Sequence, residues 1–319
     1  MGDVAVIVPT MRRPDSLRRA LQSLFAQTGV GERLDAIIVV DNDPAGTAES
    51  TVAQLDPASP CPLIYRHEPR PGVATARNAG LLMTDTPLIA FLDDDEAASP
   101  GWLAALLQAQ AGTGSDVVFG PIAGRVPDDT GWPTPYLERF FGREGPAQTG
   151  LIDHSYGCGN SLMVRASALP GPAPFDAAAD QSGGEDDVLF AALKARGGRF
   201  GWAADAWVEE FAPPHRATMR YALARAFAYG QGPSQTAAKA GDPLGVLRWM
   251  AIGVGQTGVW GLAALALTVI NHPSRAQLMD RTARGLGKVF WMKGFEPHFY
   301  GARELARLDR TAPVSPSAA

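Results

Sequence analysis

Over the first 125 residues, short uninterrupted apolar runs alternate with segments whose apolar positions recur at helical spacing. Val4 to Val8, Ala36 to Val40, Leu63 to Tyr65, Leu88 to Leu92 and Val117 to Phe119 predict strands. Ser16 to Phe25, Ala45 to Leu55, Val73 to Met83 and Trp102 to Ala111 predict helices, the first with Leu17, Leu21, Leu24 and Phe25 on one face. Strands that are apolar throughout and alternate with helices predict an α/β protein with a mostly parallel sheet covered on both faces. Functional groups in such sheets gather at the carboxyl ends of the strands. Those ends carry Pro9 and Thr10, then Asp41 and Asn42, then Arg70 to Gly72, then Asp93 to Asp95, all on one rim.

From about 126 to 183 the pattern loosens, with Pro and Gly frequent, as expected of loops around a cleft. The stretch "GCGNSLMVR" (157 to 165) predicts a strand entered through glycines. "GGEDDVLFAALKARGG" (183 to 198) predicts a helix with acids in its first turn and Lys194 and Arg196 near its end, as the helix dipole favours. A second helix is expected over Met219 to Tyr229. Trp249 to Ile270 then runs without a charge and is long enough to cross a bilayer. Lys239 and Arg248 precede it, and Arg275, Arg281, Arg284 and Lys288 follow, so charge bias sets no orientation for a single span. Its four glycines suit close helix packing or a bend. The expectation is a helical region that docks on or into the cytoplasmic face of a membrane, with a buried soluble helix as the alternative. The expected organisation is a domain over 1–235, a helical, membrane-associated region over 236–310, and a disordered tail over 311–319.

A formal net charge of -5 over 319 residues argues against nucleic acid as the main partner. Two cysteines without CxxC spacing indicate neither a disulfide framework nor a zinc knuckle, which fits the cytoplasm. The opening "MGDVAVIVPTMRRP" reads as a strand and turn, not a signal peptide.

Three consecutive carboxylates at the end of a buried strand repel one another unless a cation or a set of donors neutralises them. Asp93 to Asp95 therefore read either as a solvated turn or as a site for Mg2+ or Mn2+, which take carboxylate oxygens and leave places for substrate phosphates. No GxxxxGK[ST] loop and no GxGxxG after the first strand is present, so phosphates would fall to a metal and to side chains such as Arg70 and Arg77. Asp41 and Asn42 could cap the following helix or bind a base or ribose. Glu185, Asp186 and Asp187 could be dipole-stabilising acids or could supply a general base at the cleft. His215 in "PPHRAT" is a loop histidine with the chemistry of a metal ligand.

Taken together, "VIVPTMRRP", "IIVVDND", "PGVATARNAGL", "IAFLDDDE", "GCGNSLMVR" and "GGEDDVLF", in this order and spacing, resemble the family 2 glycosyltransferases of the GT-A fold over roughly residues 3 to 232. "TMRRP", "VVDND", "GGED" and "AWVEE…HRAT…GQG" more narrowly resemble bacterial enzymes that build exopolysaccharide repeat units on a lipid carrier, including succinoglycan-type glucosyltransferases. The resemblance implies a GT-A, Rossmann-like sheet. It also implies inverting, metal-dependent transfer of a hexose from a UDP-sugar to a saccharide acceptor on lipid, at the cytoplasmic face of the inner membrane. It puts Pro9, Thr10, Arg12 and Asp41 around the nucleobase, Arg70 and Arg77 near the nucleotide, and Asp93 and Asp94 near the ribose and donor sugar. Asp95, with Asp93, would hold Mg2+ or Mn2+, Asn160 and Glu185 would face the acceptor, and Asp186 would be the base. Where many relatives have a histidine ligand, "AWVEEF" has Glu209, which leaves three alternatives: Glu209 in that place, His215 from a shifted loop, or a metal held more loosely. Two other classes stay open here: a sugar-1-phosphate nucleotidyltransferase and a non-catalytic sugar-nucleotide-binding protein.

Overall fold

The computed structural model describes residues 2–181, 183–297 and 299, so the tail expected over 311–319 lies outside the described residues. The chain forms two units. The first comprises the residues up to Ala123 with Gly142–Phe211, and the second Gly124–Phe141 with Ala212–Pro297.

The strands are β1 (Val4–Thr10), β2 (Leu34–Asp41), β3 (Leu63–His67), β4 (Leu88–Phe91), β5 (Glu96–Ala98), β6 (Val117–Phe119), β7 (Ile122–Arg125), β8 (Gly150–Ile152), β9 (Ser161–Val164), β10 (Phe200–Trp202) and β11 (Val208–Phe211). Eight of them form one sheet in the order β3-β2-β1-β4-β9-β6-β10-β8, and β5-β11-β7 form a small second sheet. β3, β2, β1 and β4 are parallel, as the uninterrupted apolar runs predict. β9 is antiparallel to both β4 and β6. Its first residue, Ser161, pairs with Phe91 and Phe119 at the carboxyl ends of those strands. The glycine-rich turn before β9 therefore falls on the same rim as the acids.

Alternation along β1 divides the core. Val4, Val6 and Val8 pack with Leu17, Leu21 and Leu24 of α1 (Pro14–Phe25) and with Trp102, Leu103 and Leu106 of α4 (Trp102–Thr113). Ala5 and Ile7 pack on the other face with Ala74 and Ala76 of α3 (Val73–Leu81) and with Leu189, Phe190 and Leu193 of α7 (Glu185–Ala195). α1 begins with Pro14, whose fixed φ suits a first turn, and Asp15 complements the dipole there. α4 ends at Gly114, whose left-handed backbone (φ +61°) stops the helix. α2 (Glu49–Leu55) covers the first face, and α6 (Arg165–Ala168) follows β9. Truncating a wholly buried side chain such as Ile7 or Leu21 to Ala costs about 2–5 kcal/mol.

In the second unit, α5 (Thr134–Phe141) joins α8 (Met219–Lys239), α9 (Pro243–Val269) and α10 (Arg275–Val289). α8 runs ten residues past the expected end at Tyr229, through Pro233, so the domain boundary expected at 235 falls inside a continuous helix. Two α8 side chains explain why it continues. Gln231 Nε2 donates to the Phe290 carbonyl at 2.7 Å and Ser234 Oγ to the Lys288 carbonyl at 2.8 Å, satisfying carbonyls at the end of α10. The helices approach closely at glycines. A Cβ on Gly287 would lie 2.1 Å from the Phe227 carbonyl oxygen, and one on Gly253 would lie 2.6 Å from that of Gly285.

Candidate active site

β4 ends in Phe91, and the chain then turns through Asp93, Asp94 and Asp95 into β5. Each acid has a different neighbour. Asp94, nearly buried, accepts from Thr10 Oγ1 and from Arg13 at 2.8 Å each. Asp95 accepts from the same Arg13 nitrogen at 2.8 Å. Asp93 is 38% exposed and lies 3.4 Å from the guanidinium of buried Arg77. Two arginines thus neutralise much of the charge that the sequence concentrates here. The Asp94 carboxylate, and behind it Asp95, hold Arg13 as a cation well beyond its ordinary range.

Arg77 connects this turn to the second acidic motif. Its other terminal nitrogen donates to Glu185, the first residue of α7, and both partners of that pair are buried. Burial pushes the Glu185 carboxyl up, against the opposing pull of Arg77. α7 is entered through Gly183 and Gly184, both left-handed (φ +76° and +87°), a conformation that glycine adopts without strain. Asp186 follows, partly exposed, with Oδ2 accepting from the Cys158 N–H at 2.9 Å and Oδ1 from the Asp187 N–H at 2.9 Å. Asp187 is exposed.

The Cys158 N–H is presented by the turn 157–160, which Arg143 holds. Its guanidinium donates to four carbonyls: Gly157 and Gly159 at 3.0 and 2.9 Å, and Gly120 and Asn160 at 3.3 Å each. The glycine at 159 is sterically required. A Cβ there would lie 2.6 Å from Asp93 Oδ2 and 3.2 Å from Glu96 Oε1.

Several expected residues serve the scaffold. Asp41 is wholly buried, accepting from the Ala48 N–H at 2.7 Å, the Tyr65 hydroxyl at 3.0 Å and the Asp43 N–H at 3.1 Å, so it orders the turn after β2. Asn42 bonds the carbonyls of Glu68 and Arg70 and the N–H of Gly72, holding the loop after β3. Asn160, expected to face the acceptor, is also wholly buried. Its amide donates to the Pro121 and Ala206 carbonyls at 2.8 and 3.0 Å and accepts from the Trp102 indole at 2.7 Å. Both Asp41 and Asn160 are turned inward because the turns they stand on need internal hydrogen-bond partners.

Pro9 is buried in β1 opposite Val40. Arg12, left-handed at φ +56°, pairs with Asp43 at 3.0 Å. Arg70 is 79% exposed, with Nε donating to Glu68 at 2.8 Å. Glu209 faces Ala97 in the β5–β11 register, whereas Glu210 faces Glu96. Alternation puts neighbouring residues of a strand on opposite faces. It is accordingly Glu210 whose charge acts on Glu96 and Arg143. His215 stands exposed on a turn of the second unit. Among the described residues no three His, Cys, Asp or Glu side chains are gathered to hold an ion.

Glu96, Glu210, Arg13, Arg143 and Asp180 are the functional neighbours that sequence reasoning passed over. Glu96 is buried, and its Oε2 accepts from the Asp93 N–H at 3.0 Å. Burial, then the charges of Asp93 and Glu210, push its carboxyl well above the usual range. Asp180 caps α3, accepting from the Ala74 N–H at 2.8 Å and from Thr75 Oγ1 at 2.6 Å. Glu96, Arg13 and Glu210 had a signal in the sequence, standing in the quoted stretches "IAFLDDDE", "TMRRP" and "AWVEE".

The donors at 93–95 are all carboxylate oxygens, and Gly159 leaves the side of Asp93 uncrowded. That donor set fits a hard divalent ion, which takes one or two carboxylates and completes its shell with water and phosphate. It does not fit zinc, which favours thiolate and imidazole.

An acid turn after a buried strand, joined through a buried arginine to a second acidic motif at a helix start, on a mostly parallel sheet, is the arrangement of a GT-A glycosyltransferase. The chain belongs to glycosyltransferase family 2: the family model described as Glycosyl transferase family 2 matches residues 5–169. This decides for glycosyl transfer over the nucleotidyltransferase and non-catalytic alternatives.

Among relatives, the chain is 31% identical over 309 residues to the succinoglycan biosynthesis protein ExoM of Rhizobium meliloti, covering 93% of this chain and 96% of that protein. It is 29% identical over 294 residues to the pre-mycofactocin glycosyltransferase of Mycobacterium tuberculosis, covering 87% of this chain and 58% of that one. The fold is similar to that of S. aureus TarS 1–349, with a TM-score of 0.55 at 16% identity, covering 94% of this chain and 99% of that structure. TarS 1–349 has also been solved in complex with UDP, and that structure matches with a TM-score of 0.52 at 15% identity.

Proposed function

We propose that this enzyme transfers a hexosyl group, glucose or a related sugar, from a UDP-sugar to a hydroxyl of a lipid-linked saccharide, with inversion, in exopolysaccharide or cell-surface polysaccharide assembly. The succinoglycan assignment of ExoM and the UDP complex of TarS support this choice of pathway and donor. The single observation that carries the chemistry is Arg77, which joins Glu185 of the second acidic motif to Asp93 of the first.

In this reading, Asp186 removes the acceptor proton as the hydroxyl oxygen attacks the anomeric carbon. The bond from that carbon to the diphosphate oxygen breaks, and the sugar inverts. The Cys158 N–H and the start of α7 keep the Asp186 carboxylate in one direction. Glu185 is held by Arg77 beside it and borders the acceptor. Thr10, Arg12 and Arg70 line the nucleotide side, with Asp94 fastened to Thr10. Asp93 and Asp95 would hold Mg2+ or Mn2+, which when bound neutralises charge on the leaving diphosphate. The apolar helix α9 supports work at a membrane, in this reading the cytoplasmic face of the inner membrane, where a lipid-linked acceptor would be within reach.

A thermal-shift screen of nucleotide-sugars tests the donor, because a ligand that binds only the folded state raises apparent stability. UDP-hexoses are expected to stabilise the protein in the presence of Mn2+. Stabilisation by GDP- or dTDP-sugars alone would overturn the UDP assignment.

A further inference from the structure

α9 is long and apolar enough to cross a membrane, yet its surroundings point to a different placement. We infer that α9 lies in the plane of an anionic membrane surface and does not cross the bilayer; this rests on the membrane reading given above. Leu247, Val254, Val259, Leu262, Leu265 and Val269 are each at least 62% exposed. Their spacing puts them on one face of the helix. That face extends for roughly 33 Å at about 1.5 Å per residue.

The other face is covered by α10. Gly253 packs against Gly285, Gly261 lies against Thr282, and Arg281 sits 4.7 Å over the ring of Trp260. α10 accordingly runs beside the central part of the apolar stretch, carrying Asp280, Arg281, Arg284 and Lys288 along its length. A spanning α9 would bring those charges to the depth of the hydrocarbon or would have to strip α10 away, and charged side chains are expensive there. Lying flat, α9 puts its exposed face at the boundary of headgroups and acyl chains and leaves α10 on the wet side.

Charge selects the surface. Residues 212–297 carry ten Lys and Arg against three Asp and Glu, a formal +7, whereas residues 1–211 carry fifteen against twenty-eight, a formal -13. A basic unit with an apolar face complements anionic headgroups. Two copies meeting through that face would bring two such +7 segments together, which disfavours a second copy as the occupant.

Flotation of the full-length protein with vesicles of phosphatidylglycerol and phosphatidylcholine, or of phosphatidylcholine alone, tests both the surface and the placement. Binding is expected to be at least tenfold stronger with the anionic lipid. Replacing Arg248, Arg281 and Lys293 with Gln weakens it about a hundredfold, at roughly a factor of five per basic residue. Leu262→Glu with Leu265→Glu abolishes flotation while the helical circular dichroism is unchanged, because both side chains are exposed.

Placement is read in a Cys61→Ser background, where the remaining Cys158 is buried, by one added cysteine at a time, Lys239→Cys or His272→Cys, which flank α9. In-plane seating leaves both open to a membrane-impermeant maleimide added outside the vesicles. Flotation with His272→Cys protected means that α9 spans, and overturns the inference alone. Equal binding to both vesicle types overturns the anionic preference. No flotation with either, or a lipid-free dimer dissolved by Leu262→Glu, overturns the inference together with the membrane reading.

Discussion

Arg77 and Glu185 form a buried ion pair between α3 and the first residue of α7, and the same guanidinium reaches Asp93. Two motifs separated by about ninety residues are thereby held by one cation. Its burial makes the pair costly to break from one side only. Arg77→Met leaves Glu185 buried without a counter-charge and is expected to destabilise the protein by about 3–5 kcal/mol. Arg77→Met with Glu185→Gln recovers part of that loss, since no unpaired charge remains. Urea unfolding of the single and double variants measures the difference. Equal stability of the two would mean that leaving Glu185 unpaired costs nothing.

The sheet was legible because parallel strands are apolar on both faces, and runs such as Val4 to Val8 cannot be solvent-exposed. The direction of β9 was not. A buried strand of four residues has no alternation from which direction could be read, and only its pairing with Phe91 and Phe119 reveals it. Within the site, the acid motifs were visible as clusters, but the job of each acid was not. Asp41 and Asn160 are internal because the turns they stand on need hydrogen bonds, a demand that depends on the fold and not on the motif. The choice between Glu209 and Glu210 depends on the phase of β11, which adjacent glutamates do not disclose. Arg143, a lone arginine in a loop, carries no signal at all until four carbonyls are seen around it.

Asp186 and Asp187 separate the base from the helix cap. Asp186 is anchored by the Cys158 N–H, and Asp187 is exposed. Asp186→Asn keeps the size but cannot accept a proton. Transfer is expected to fall by about two to four orders of magnitude, with UDP affinity unchanged, because the acid acts on the acceptor side. Asp187→Asn stays within a few-fold of the parent. Initial-rate kinetics and calorimetric UDP titration check both, and an inactive Asp187→Asn beside an active Asp186→Asn would reassign the base.

Glu96 makes stability depend on pH. Its folded-state carboxyl is raised, first by burial and then by Asp93 and Glu210, so the folded state holds the proton after the unfolded chain has lost it. The stability this provides is fully present below the ordinary value of 4.5 and is lost as pH rises through the raised one. In that window stability falls with pH, by at most about 1.4 kcal/mol per pH unit. Glu96→Gln, which cannot ionise, is expected to flatten this slope. Urea unfolding at intervals from pH 4.5 to 8 gives the comparison, and an unchanged slope would remove Glu96 as its source.

Asp95 and Arg13 set the terms for a metal ion. The Arg13 nitrogen lies 2.8 Å from oxygens of both Asp94 and Asp95, so a divalent ion on Asp95 shares its ligand with a guanidinium. Two cations that close repel strongly even when solvent screening is generous. Mn2+ alone is therefore expected to bind weakly, and UDP, whose phosphates add negative charge, to bind more tightly with Mn2+ than without it. Asp95→Ala removes the metal-dependent part of UDP affinity and leaves the metal-free part. Arg13→Met acts in the opposite direction on the bare ion: with the competing charge gone, Mn2+ affinity in the absence of nucleotide rises by about tenfold or more. Calorimetric titration of Mn2+ and of UDP into the three proteins reads both effects. Unchanged Mn2+ affinity in Arg13→Met, or a full metal effect on UDP in Asp95→Ala, would put the ion on other ligands.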